Sequence, residues 1–276
     1  MMMRIYETPD NVEELLDKVV VAAKKTRFYS SVIPGDISIA SVSDLGRIPV
    51  TPIAEYRRQR LSDVLAKPDD VQWIAGALGG QSPDNVAIAE GPDEAAIRFD
   101  IFTDALKDCL PDATKHTCVI VSSAERRYFA AETATILIHS GIPTHVFLDD
   151  DRARVYELLD VTRPDIVVVL VDEVDEAALP ENTKLCVTFR RSQRLRQFSQ
   201  LDMYVVDELG FLGQSRDCQS YRLNNDEFLF QMFSNGKMVV TALRNQVRPV
   251  IRLELQDKAR SLSDNTIELV ELSAKP

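Results

Sequence analysis

Apolar positions recur along this chain with two different periods, and the switch between them organises it. Val12, Leu15, Leu16, Val19, Val20 and Ala23 fall on one face at helical spacing, with Asp10 or Asn11 available as cap, so residues 10–25 are expected to form an amphipathic helix. A second helix is expected over 52–66, with Arg57, Arg58 and Arg60 on a solvated face. From Thr117 onward, short apolar runs alternate with helical patterns. Cys118 to Val121 reads as a buried strand, Tyr128 to His139 as a helix closed by Gly141, and His145 to Leu148 as the next strand. A helix over Arg152 to Asp160 and the continuous run Asp165 to Val171 follow, then Lys184 to Phe189. Strands and helices alternating at this spacing predict a parallel sheet with helices on its faces.

Near the carboxyl end the period becomes two. Asn235-Gly236 between a Phe/Leu-rich run and a Val-rich run predicts a hairpin over 228–243. Ile251, Leu253 and Leu255 then alternate with Arg252, Glu254 and Gln256, a strand with one apolar face and Asp257 at its end.

Composition narrows the classes. The 276 residues carry a net charge of −11 with 27% charged side chains, which offers nothing to nucleic acid or to an anionic membrane surface. No signal-peptide pattern opens the chain and no apolar run approaches the roughly 20 residues of a membrane span, so a cytoplasmic location is expected. Cys109, Cys118, Cys186 and Cys218 lack paired spacing, as reduced thiols do rather than zinc ligands or disulfides.

Three blocks stand in a fixed order: Tyr204-Val205-Val206-Asp207-Glu208, Gly236 to Leu243, and Pro249 to Asp257. Together they resemble the adenylate-forming (acyl-CoA synthetase) superfamily, in its phenylacetate-CoA ligase-like branch. There, Tyr-Gly-x-Thr-Glu precedes a hairpin and then Pro-x-Ile-Arg-Tyr-x-x-Gly-Asp. The resemblance implies an α/β fold, the N-terminal core of an adenylate-forming enzyme with mixed and parallel sheets. Residues 1–70 would be a helical segment packing on the core, 71–256 the adenylation-like core, and 257–276 a tail in place of the C-terminal lid domain.

The resemblance also places a site. Glu208 stands at the Mg²⁺-binding carboxylate, with Asp207 beside it as a candidate acid or base. Tyr204 and Gly210 belong to the substrate turn, and Asp257 matches the aspartate that holds the ribose. Gly76, Gly79, Gly80 and Gln81 occupy the phosphate loop, but Ala77 and Leu78 replace its hydroxyl residues and no lysine follows. From the strand and helix pattern, Ser122, Ser123, Tyr128 and Phe129 are candidates to line an acyl or aryl pocket. His139 is either a pocket residue or a helix-end partner of the dipole.

A retained Glu208 turn beside a degraded phosphate loop points to an enzyme acting on an activated acyl or aryl compound without ATP, by ester, thioester or lactone hydrolysis, acyl transfer or ring closure or opening. The alternatives are ATP- and Mg²⁺-dependent adenylation with a lid or carrier protein supplied by another chain, and a catalytically inactive binding subunit. Edges left uncovered by the missing lid favour a homodimer.

Overall fold

The computed structural model describes residues 3–75, 88–170, 175–189 and 194–271. Strand β1 (Met3–Ile5) leads into α1 (Val12–Ala23), whose buried face holds Val12, Leu15, Leu16, Val19 and Val20 as the spacing predicts. A one-turn α2 (Arg27–Ser30), capped by the Thr26 side chain, and β2 (Thr51–Pro52) follow. The helix expected over 52–66 is two short ones, α3 (Ile53–Arg57) and α4 (Leu61–Val64). The break at Arg58 to Arg60 lets Ile53 and Tyr56 bury on one side and Val64 after the turn. After β3 (Trp73–Ala75) and β4 (Ile88–Glu90), which pair with each other, comes α5 (Pro92–Cys109), an 18-residue helix that the hydrophobic pattern does not announce. Pro92 opens it and the Glu94 carboxylate accepts the Gly91 N–H at 3.0 Å, a cap that satisfies an otherwise orphaned donor.

The alternating segment then forms as expected: β5 (Cys118–Ser122), α6 (Arg127–His139), β6 (Thr144–Leu148), α7 (Arg152–Thr162), β7 (Ile166–Val169) and β8 (Leu185–Phe189). Gly141 ends α6 at φ +80°, where the Ile142 N–H returns to the Leu137 carbonyl. The remaining strands are β9 (Ser199–Val206), β10 (Gly210–Ser215), β11 (Ser220–Leu223), β12 (Phe228–Phe233), β13 (Lys237–Ala242), β14 (Leu253–Ser261) and β15 (Thr266–Glu271). The Asn235-Gly236 hairpin forms between β12 and β13, with Phe230 opposite Val240.

Among the described residues one mixed sheet takes in every strand except β3 and β4, running β1-β12-β13-β14-β15-β11-β10-β9-β8-β7-β5-β6, with β2 parallel to β14. Strands β5 to β9 are parallel in the order β6-β5-β7-β8-β9, and the strand order reverses beside β5. Helices α5 and α6 cover one face of this half over Ile120, Val168, Val187 and Met203, while α7 covers the other over Val119, Val121 and Val167. The antiparallel half packs on the N-terminal helices in the largest core, from Leu16 and Tyr29 to Leu253 and Leu269.

Two expectations need correction here. Asp257 does not end a strand but lies inside β14, which continues to Ser261 and pairs with β15, so the division at residue 257 cuts through a ladder rather than opening a tail. Arg252 does not share the polar face of a strand with Glu254 and Gln256: it precedes β14 and is buried, and its guanidinium donates to the carbonyl oxygens of Leu45 (2.8 Å) and Ile48, tying the N-terminal segment to the sheet.

Candidate functional site

The acidic turn between β9 and β10 needs Gly210 at φ +84°, a backbone region that strains any residue with a Cβ. The turn sends Glu208 inward, where it is fully buried. Arg57 of α3 grips it from the N-terminal segment, with Nε 2.5 Å from Oε1 and Nη2 3.4 Å from Oε2. Arg248, also buried, donates to the Glu208 carbonyl and lies 5.8 Å from the centre of the Tyr56 ring. Arg57 is therefore the counterion of Glu208 and not part of a solvated face. Both Glu208 carboxylate oxygens accept from the guanidinium, so a magnesium ion would have to compete with a built-in cation. Among the described residues no group of three or more His, Cys, Asp or Glu side chains is arranged to hold a metal. Asp207 is half-buried beside this ion pair, so the two neighbouring carboxylates sit in unlike surroundings.

Tyr204 and Asp257 do meet. The tyrosine hydroxyl donates to Asp257 Oδ2 at 2.9 Å, with both side chains buried. A second carboxylate, Asp202, is close by and sequence reasoning passes over it. Thr188 donates to it at 2.6 Å and Tyr221 donates to its other oxygen, while the Tyr204 and Tyr221 rings are 5.9 Å apart. The signal available was one acidic residue inside the otherwise apolar run Leu201 to Val206.

On the other side of Gly210 stands a buried charge cluster that the sequence gives no sign of. A Cβ at Gly210 would meet Arg98 Cδ at 3.1 Å. From α5, Arg98 reaches Glu90 at the end of β4, with Nε 3.0 Å from each carboxylate oxygen, and Glu132 on α6. All three are at least nine-tenths buried, and among the described residues Glu132 Oε2 and the neighbouring Thr133 hydroxyl have no hydrogen-bond partner.

The serines and the pocket candidates separate. Alternation along β5 turns Ser122 toward α6, where its hydroxyl donates to the Ser123 carbonyl at 3.1 Å. Ser123 instead borders a cavity of about 240 Å³ on the α7 side of the carboxyl ends of β5 and β7, with Val121, Arg126, Asp149, Tyr156 and Val169. Phe129 is buried on the α6 face against Phe189, ring centres 4.9 Å apart. Tyr128 is 61% exposed beneath Arg127. His139 is exposed at the end of α6, its ring 5.8 Å from that of Phe99. Gly76, Gly79, Gly80 and Gln81 lie outside the described residues.

A larger groove of about 540 Å³ beside α5 carries Asp100, Asp104, Asp108, Asp226 and Glu227. Burial pushes the Glu227 carboxyl up to about 7, outweighing the ion pair with Arg244 at 3.2 Å. Its folded form thus holds a proton that the unfolded chain releases near 4.5. The resulting stabilisation is full below about pH 4.5 and is lost as pH rises through about 7. Glu227→Gln is expected to melt above the parent at pH 8 and level with it at pH 4. Parallel melting profiles in calorimetry would sink this assignment.

No protein-family model and no curated protein matches the sequence. Solved structures do match. The chain aligns with 2-hydroxyisobutyryl-CoA ligase in complex with 2-HIB-AMP and CoA at a TM-score of 0.73 and 14% identity, covering 96% of this chain and 68% of that one. The fold is that of the adenylate-forming ligases. An acyl acid amido synthetase in complex with 2,4-DB aligns at 0.59 and 10% identity over 94% of this chain and 68% of that one. The amide bond synthetase McbA from Marinactinospora thermotolerans aligns at 0.52 and 12% identity, over 74% and 49%. The chain spans about two thirds of the length of the CoA ligase. On this adenylate-forming fold, the turn bearing Glu208 and the strand bearing Asp257 are drawn into the interior by Arg57 and Tyr204 respectively. Among the described residues no helix is long and apolar enough to cross a membrane.

Proposed function

We propose that this chain is an acyl-handling enzyme on a ligase fold, of the phenylacetate-CoA ligase-like kind, that acts on an already activated acyl or aryl compound. The reaction class is hydrolysis, transfer or ring closure or opening at an ester, thioester or lactone. One observation carries the reading: the Glu208 carboxylate, which would serve Mg²⁺ and nucleotide, is closed off from solvent and held through both oxygens by Arg57. A carboxylate so engaged contributes to folding rather than to phosphate chemistry. Incubation with a panel of aryl and acyl thioesters, esters and lactones in the absence of ATP is expected to give turnover. A strict ATP requirement would end the proposal.

The likeness to a CoA ligase solved with an acyl-adenylate favours a second reading, adenylation with a lid or carrier domain supplied by another chain. Under it, ATP raises the melting temperature and pyrophosphate exchange appears once the partner is added. Binding of aryl acids with no turnover in either assay would leave a non-catalytic binding subunit.

A further inference from the structure

Strand β6 ends the large sheet, and among the described residues no strand pairs with its outer side. The opposite end is protected: β1 is three residues long and its Arg4 is paired with Asp264 at 2.6 Å. By contrast β6 reads Thr144-His145-Val146-Phe147-Leu148, five residues without Pro, Lys, Arg, Asp or Glu.

The hydrogen bonds to β5 fix which way each backbone group points. Cys118 donates to the Pro143 carbonyl at 2.8 Å, and Asp149 donates to the Ser122 carbonyl at 3.1 Å. In a parallel ladder alternate residues of a strand turn both their N–H and C=O toward one neighbour. Pro143, His145, Phe147 and Asp149 therefore serve β5, and Thr144, Val146 and Leu148 direct both groups outward. On the same edge Val146 is 37% exposed, Leu148 48% and Ile138 of α6 59%. Unpaired backbone polar groups beside exposed apolar side chains make a template for another strand.

We propose that the occupant is a second copy of this chain, joined through antiparallel pairing of β6 with β6 about a two-fold axis at Val146. That register sets Val146 against Val146 and Thr144 against Leu148, so every outward N–H and C=O of the three residues finds a partner. It is also the arrangement the charges favour. The acidic end Asp149 to Asp151 of one strand lies against the uncharged Gly141 to Pro143 of the other, so acid does not face acid. The interface is isologous and closes on itself, giving a dimer rather than a filament.

Sedimentation equilibrium of the full chain at tens of micromolar is expected to show a dimer. Val146→Pro removes one outward donor and no bond to β5, so it is tolerated within the protomer and weakens dimerisation about tenfold or more. Val146→Cys is expected to crosslink on mild oxidation, because directly opposed residues of a hydrogen-bonded antiparallel pair have Cα atoms about 5.5 Å apart, within disulfide reach. The native cysteines Cys118, Cys186 and Cys218 are buried and Cys109 is only partly so, so the crosslink is scored in a Cys109→Ser background, where it reports on position 146. A monomeric parent overturns the proposal. So does a dimer that survives Val146→Pro together with a Val146→Cys variant that does not crosslink.

Discussion

Arg57→Met is expected to lower stability by about 3 kcal/mol, the lower part of the range for removing one partner of a buried ion pair. The lower part applies because the Arg57 side chain keeps 18% of its surface in solvent while Glu208 keeps none. The loss comes less from the broken attraction than from leaving a carboxylate in the interior without a counterion. Arg57→Met combined with Glu208→Leu is therefore expected to recover most of it, since two apolar groups neither need nor leave a charge. Urea unfolding of the parent, both single variants and the double variant measures the coupling. If millimolar Mg²⁺ restored the Arg57 variant selectively, Glu208 would be a metal ligand awaiting its ion, and the structural role assigned to it here would fail.

A loss at least as large, about 3–5 kcal/mol at neutral pH, is expected for Arg98→Met. Arg98 separates the carboxylates of Glu90 and Glu132 and is the cation shared by both. Without it two buried carboxylates face each other with no cation between them. Replacing Glu132 with Gln in the Arg98→Met background should therefore recover part of the loss. A double variant no more stable than Arg98→Met in chemical denaturation would mean that lost packing and not charge dominates.

These two sites mark where sequence reasoning reached its limit. The parallel half was readable because its strands are uninterrupted β-branched runs, as in Ile166 to Val169, and because Gly141 punctuates the helix before β6. The hairpin at Asn235-Gly236 was readable for the same local reason. Helix α5 was not, since its buried positions include Glu94, Arg98 and Thr103 as well as Phe102 and Leu106, which blurs the apolar stripe. Arg57 looked solvated because its partner is 151 residues away, a distance no local pattern spans. Asp257 is a different kind of miss. Leu253, Leu255, Asp257 and Ala259 all bury on the same side of β14, so strict alternation already placed the aspartate inside. Of the site inferred by resemblance, Tyr204 and Asp257 come together and Glu208 is engaged separately; of the pocket residues inferred from the helix pattern, Tyr128 and His139 lie on the surface.

The sheet's strand order also bears on how the molecule is made. Tyr29, near the start of the chain, exchanges hydrogen bonds with the backbone of Ile251, 222 residues later, and β1 completes its pairing only with β12. During synthesis the first sixty or so residues thus leave the ribosome with their apolar faces unmatched, while the region from β5 to β9 can assemble from neighbours in sequence. The amino-terminal segment therefore cannot complete its core until β12 to β14 have been made.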